Sequence, residues 1–376
     1  MNKQLTFKNS RFKIMQIADA QEFSYVSPDT VRLIGLAVEA EKPDLVIFTG
    51  DQIYGIHPKL WGKNAEARIN TVFRKLLAPV TAAGVPFAVT FGNHDAECGV
   101  PNARQAELYA SLPGYVKGDR MSDDAPGAFR IPICGENNKH LFDIFAFDTR
   151  GSAAAGGRGV SDEQLKWFEA VRAKERALRK EAPPALVFQH IPVPEYYNVI
   201  NKVKKGTPGA VEAYGARKGS FYALPKELTA AGGFMKETPS AASEKEFEIL
   251  KKDGGVLALA AGHDHNNSFV AAFEGIDLIY TQGAGFHVYG PHLKRGVRVF
   301  TLDEKEPAAF STYTRTWESL TKERPKEFLL GYALSKTPSS VSQAKTWAKR
   351  AVPFAAAGAA AAGALAVQIM KKRKPE

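Results

Sequence analysis

Five short polar segments each follow an apolar run: Asp19-Ala20-Gln21, Gly50-Asp51-Gln52-Ile53-Tyr54, Gly92-Asn93-His94-Asp95, Val187-Phe188-Gln189-His190 and Gly262-His263-Asp264-His265. Together they offer carboxylate and amide oxygens, imidazole nitrogens and a phenol, but no thiolate. That mixture suits Mn, Fe or Zn in a reactive site better than a structural zinc held by cysteines. The donors suffice for two ions, and a carboxylate between two cations can bridge them, with Asp51 as the candidate. Two metals about 3.5–4 Å apart bind a phosphate and generate hydroxide for in-line attack. Each segment alone has a structural reading, because Asp after a strand is an ordinary turn former or helix cap. Five in series, each behind an apolar run, are poorly explained that way.

The segments must be brought together by the elements before them. Phe12–Ala18, Leu45–Thr49, Phe87–Phe91, Ala185–Phe188 and Val256–Ala261 read as short buried strands, each ending at a polar group. Side chains at strand ends, on loops leaving one edge of a sheet, meet in space though far apart in sequence. Helical stretches such as 31–39 and 65–77 alternate with the strands. Segments 267–273, 277–281, 297–302 and 308–313 run consecutively and suggest an antiparallel half. The spread of the ligands from Asp19 to His265 argues for one catalytic domain, 1–316.

The order Asp-x-x, Gly-Asp-x-x-Tyr, Gly-Asn-His-Asp, Val-x-x-His, Gly-His-x-His resembles the calcineurin-like metallophosphoesterases, and within them the purple acid phosphatase branch, over about residues 12–301. Glu41-Lys42-Pro43-Asp44 before the second segment, and His190-Ile191-Pro192-Val193-Pro194-Glu195-Tyr196, are similar to the Dcr2/Size1-type and plant "probable inactive" members. The resemblance implies an α/β (α+β) fold, a four-layer αββα sandwich. It implies Asp19, Asp51, Tyr54 and His265 on one metal, and Asp51, Asn93, His190 and His263 on the other. His94 would stand beside the substrate phosphate, with Asp95 orienting its ring. His287 would be a further substrate contact, and Asn93 would touch both metal and substrate.

The pattern is broken at Gln21, where most relatives have His and the purple branch Gly. The first site thereby loses an imidazole, which Tyr54 as phenolate or Gln21 through its amide oxygen can replace. Arg295 is an uncertain candidate for oxyanion binding, with a solvated side chain as the plainer reading. The Gly151–Gly159 stretch, with Arg150 and Arg158, lacks a Gly-Lys-Ser/Thr pattern and reads as a rim rather than a nucleotide cradle. Ser161 to Gln164 has capping-box spacing, with Leu165, Phe168, Val171 and Leu178 behind it at helical intervals. In the insertion 196–250, Tyr196, Tyr197, Tyr214 and Phe221 can stack on an organic leaving group or pack a core.

Residues 317–350 read as a linker or helical segment, and 351–376 as an Ala-rich apolar stretch with a basic end. Residues 341–376 carry seven basic side chains against Glu376, so they hold +6 of the formal +10. The remainder is weakly charged, which argues against a nucleic-acid-binding face. Twenty uncharged residues, 351–370, have the length of a membrane span, but half are alanine; a tail anchor, a surface-lying segment and a disordered tail all stay open. Residues 1–11 are polar and run into the first strand, leaving no room for a signal peptide, and Cys98 and Cys134 make no disulfide framework. The expected compartment is the cytoplasm, with membrane association through the tail as an option. The expected activity is hydrolysis of a phosphomonoester of unknown identity by metal-bound hydroxide. A phosphodiesterase with the same metal core, or a silent metal- and phosphate-binding scaffold, are the alternatives.

Overall fold

A computed structural model describes residues 4–149, 159–213, 215–242 and 245–337. Arg150 to Arg158, Tyr214 and the whole 351–376 segment, with the anchor readings attached to it, lie outside the described residues. Among the described residues no helix is long and apolar enough to cross a membrane.

Two sheets face each other. One has five strands in the order Phe310–Thr316, Gly296–Asp303, Arg11–Ile17, Leu45–Thr49, Phe87–Thr90, the last three parallel. The other has nine, with His140–Ala146, Ala185–Gln189, Val256–Ala261 and Ile276–Tyr280 adjacent and parallel at its centre. Alternation along the strands sends one set of side chains inward, so Phe12, Ile14, Leu45 and Ile47 meet Ile144, Leu186, Phe188 and Ala258 in a core between the sheets. Met15, Ile17, Val46 and Phe48 point the other way, onto Leu33, Ile34, Ala37 and Val38 of helix Pro28–Glu41 and onto helix Ala65–Leu76. Val187, Leu259 and Leu278 cover the opposite outer face under Phe168 of helix Asp162–Arg179 and Phe247 of helix Glu246–Asp253. Three separate apolar clusters between four layers, two of helices and two of strands, are the expected αββα sandwich.

Local signals placed these helices. Ser27 caps the first, accepting from the N–H of Asp29 and Thr30, with Pro28 at its first position. Ser161 caps the helix from Asp162, accepting from Gln164 N–H; Leu165 and Phe168 are buried, whereas Leu178 is exposed near the helix end. The insertion after His190 folds into a small sheet of Asn201–Val203, Val211–Glu212 and Phe221–Ala223. Beyond Thr316 the chain does not leave the body at once: Trp317 is buried in the first helix layer, and Asp29 accepts from the N–H of Lys326 and Glu327.

A buried carboxylate ties the far end of the sandwich. Glu41 receives Lys13 Nζ at 2.9 Å, Tyr313 Oη at 2.6 Å and Arg315 Nε at 2.5 Å, joining a helix C-terminus to two strands. Burial opposes its charge, but these three donors win and hold it at about 2. A depressed folded-state value contributes stability above the unfolded-state value, lost as pH falls through about 2. Glu41→Gln should therefore cost about 1–2 kcal/mol at neutral pH, allowing for the partly exposed partners. In urea unfolding followed by circular dichroism, that deficit should shrink steadily as pH is lowered from about 5; a deficit independent of pH would refute the assignment.

Candidate metal centre

All five polar segments leave the same edge of the sandwich. Asp19, Asp51 and Asn93 follow strands of the five-stranded sheet; His190, His263 and His265 follow strands of the nine-stranded one. The turns holding them are unusual backbone. Asp19, Gln21, Asp51 and His263 have φ of 55°, 42°, 53° and 72°, a left-handed conformation that non-glycine residues seldom adopt and that clusters at functional sites. Gly50 has φ 92°, and a Cβ there would lie 2.7 Å from the His190 ring. A Cβ on Gly92 would lie 2.1 Å from Asp51 Oδ1, so both glycines let ligand-bearing turns approach.

Asp51 Oδ2 is the crowded point of the site. His190 Nε2 lies 3.2 Å from it, Gln21 Nε2 donates to it at 2.9 Å, and His94 Nε2 is 4.0 Å away. Around His190 Nε2 also gather Asn93 Oδ1 at 3.1 Å and His263 Nδ1 at 3.2 Å. Asp51, His190 and His263 each present a ligand atom within 4.8 Å of the others. The far nitrogen of His190 donates to Thr49 O at 3.0 Å, and since a carbonyl can only accept, this fixes the tautomer with its Nε2 lone pair toward the cluster. His265 is set the same way: Nδ1 donates to Tyr289 O at 2.9 Å, and the ring stacks on Tyr289 at 4.1 Å.

The Nε2 of His265 faces Asp19 Oδ1 at 3.4 Å. That oxygen is buried and accepts no hydrogen bond, an expensive arrangement unless a cation sits there. The orphaned oxygen and the directed lone pair fit a metal. Asp19 and His265 with Asp51 would hold one ion, and Asp51, Asn93, His190 and His263 the other. Gln21 turns an N–H, not its amide oxygen, toward Asp51. The ring of Tyr54 stands edge-on to His94 at 5.4 Å. Burial, then the charge of Glu97, pushes its phenol above the ordinary value.

Electrostatically the pocket is built for positive charge. Burial would lower the His190 value, but Asp51, Asp19 and Asp95 raise it to about 10. Burial opposes the Asp51 charge too, yet His190 and His94 hold its carboxyl well below the usual range. His263, by burial and by its neighbour His190, is driven well down and is neutral, as a ligand must be. A cation entering competes with the His190 proton, so affinity falls in acid.

Residues 12–267 match the calcineurin-like phosphoesterase family. The chain belongs to that family. A protein of Arabidopsis thaliana named "Probable inactive purple acid phosphatase 28" is 27% identical, over 85% of this chain and 81% of its own. "Phosphatase DCR2" of Saccharomyces cerevisiae is 24% identical over 69% of this chain and 45% of its own. A solved structure of a dimetal phosphatase from Danio rerio aligns with 81% of this chain and 99% of its own, at 17% identity and a TM-score of 0.47.

Within this calcineurin-like phosphoesterase three sequence expectations need correction. Asp95 does not orient His94. Its carboxylate is buried and filled by four backbone N–H groups, those of Gly92 at 2.7 Å, Asp51 at 2.8 Å, Gln52 at 2.9 Å and Ile53 at 3.3 Å. The partner of the His94 ring is Glu97, with Oε2 2.5 Å from Nδ1, a residue the sequence reading passed over although i, i+3 spacing on a turn was its signal. His287 does not face a phosphate, because Glu22 at 3.1 Å and Glu327 at 2.9 Å occupy both its nitrogens. Arg295 is not solvated: it is fully buried and donates to the carbonyls of Gly285 and Val288. Of the two uses left open for Tyr196 the structure shows core packing, with its hydroxyl between Leu259 O and Ile279 O.

Gly92→Ala should load markedly less metal than the natural protein, because the new Cβ must displace Asp51. Gly35→Ala, inside a helix with only Pro79 side-chain atoms at 3.7 Å and beyond, is the control and should load fully. Metal analysis after loading and desalting decides it, full metal content in Gly92→Ala being the contrary result.

Proposed function

We propose that the protein hydrolyses a phosphomonoester at this centre, using two metal ions drawn from Fe, Mn or Zn. The supporting observation is the convergence on Asp51 Oδ2 of ligands from two sheets, beside an orphaned Asp19 oxygen, in a member of a phosphoesterase family. When bound, the metals supply positive charge against the phosphate and acidify a water for use as nucleophile. Asn93, whose Oδ1 lies 3.1 Å from His190 Nε2, would offer that oxygen to a metal and its amide N–H to a phosphate oxygen. His94 stands on the open side of Asp51, its Nδ1 held by Glu97 so that Nε2 is presented to the leaving oxygen. Water adds to phosphorus, the ester P–O bond breaks, the alcohol departs with a proton from His94, and the proton released by the water restores the His94 acid.

Hydrolysis of p-nitrophenyl phosphate by the full chain with Mn(II), Fe(II) or Zn(II) should be metal-dependent and abolished in His190→Ala. His94→Ala should lower turnover by about a hundredfold or more while metal content stays unchanged. Faster cleavage of bis(p-nitrophenyl) phosphate would favour the diesterase. The silent scaffold is favoured by the engagement of Gln21 with Asp51, at the position where the family resemblance implies another group, and by the "inactive" in the names of its plant relatives. Metal-loaded, folded protein without turnover on either ester would establish that reading.

Tyr54 is proposed as a ligand of the first metal. Ferric protein should then show a visible tyrosinate charge-transfer band that disappears in Tyr54→Phe; a band surviving that change, or none at all, would remove Tyr54 from the ligand set.

A further inference from the structure

Two loops beside the centre, joined by His94 and His287 from the neighbouring turns, carry a continuous series of rings. From His94 the edge-on Tyr54 lies at 5.4 Å, His57 at 6.4 Å from Tyr54, and Phe23 stacks on His57 at 4.2 Å and 9°. Phe23 then meets His287 at 5.0 Å, and His287 meets Tyr25 at 5.6 Å. Trp61, on the same loop as Tyr54, is hydrogen-bonded to the adjacent Gly55. Tyr25 is 59% and Trp61 46% exposed; with Ile56 at 40% they are three of the seven large apolar side chains exposed among the described residues. Solvent-facing aromatics contiguous with a polar site are a costly surface unless something covers them.

The series is held rigid by contacts unrelated to metal binding. The loops run side by side through a bridge between Glu22 and Ile53, and Ser24 Oγ donates to Lys59 O at 2.8 Å. Trp61 Nε1 donates to Gly55 O at 2.8 Å, which fixes an indole that stays partly exposed. Gly55 in turn packs on the backbone of the His94 turn so closely that a Cβ would lie 1.9 Å from His94 O. The rings are thus registered against the residue that faces the leaving oxygen.

We propose that this ring series is a leaving-group subsite that takes an aromatic group carried by the phosphate ester, a specificity that rests on the phosphoesterase reading above. A planar ring gains edge and face contacts along the series, with Tyr54, His57, Trp61 and Tyr25, whereas a small hydroxylated alcohol such as glycerol gains none and strips water from its hydroxyls.

Non-hydrolysable phosphonates test this without turnover. Titrated calorimetrically into the Mn-loaded full chain, phenylphosphonate should bind about three- to tenfold tighter than methylphosphonate. Trp61→Ala and Tyr25→Ala should each reduce that ratio, and Tyr25→Phe should keep it. Tyr25 makes no hydrogen bond that its loss would disturb, so a folding defect in Trp61→Ala leaves the second variant decisive. Equal affinity of the two phosphonates for the natural protein, or an unchanged ratio in Tyr25→Ala, overturns the aromatic subsite and leaves the phosphoesterase reading standing. Failure of both phosphonates to bind metal-loaded protein overturns that reading and this one with it.

Discussion

The four N–H groups gathered by the Asp95 carboxylate are the constraint on which the centre depends. Three belong to the turn of Asp51, the fourth to the turn that carries Asn93 and His94. One buried acid therefore sets the relative position of two ligand segments more than forty residues apart in sequence. Burial, then the nearby Asp51 charge, lifts its value to about 7, yet the four donors are what keep an anion there worthwhile. The left-handed backbone at Asp51 costs free energy that this anion offsets. Gln105 adds a second tie by donating to Asp95 O at 2.6 Å.

Beneath the centre the two sheets are joined by polar side chains in an otherwise apolar layer. Gln16 donates to Thr49 Oγ1 at 3.0 Å and accepts from Thr281 Oγ1 at 2.7 Å, while Thr90 Oγ1 reaches Phe147 O at 3.0 Å. Buried polar pairs that are satisfied favour one arrangement over its slipped neighbours, since a shift would leave each partner unpaired. Sheet register and ligand geometry are thus specified together.

Strand positions were legible because alternation and turn residues are local: Leu45–Thr49 and Val256–Ala261 appear with the boundaries read from sequence. The ligand types were legible for the same reason, each standing where a buried strand ends. Side-chain partners were not. Asp95 and Glu97 are both acids next to His94, and only the fold shows that the first points into backbone and the second at the ring. Arg295 carries a full charge into the interior because two carbonyls of its own loop wait there, which no periodicity announces. The chain after Thr316 resembles a linker in composition, and is drawn back by Trp317 and by the Asp29 carboxylate.

The division of ligands between sheets has a thermodynamic consequence. Asp19, Asp51 and Asn93 stand on one layer, and His190, His263 and His265 on the other. An ion bound by both is a clasp across the sandwich, present in the native state and absent from any state in which the layers part. Its binding free energy is then added to the cohesion of the whole domain, growing with the logarithm of free metal concentration. Depriving the protein of metal would loosen the whole molecule, and not the site alone.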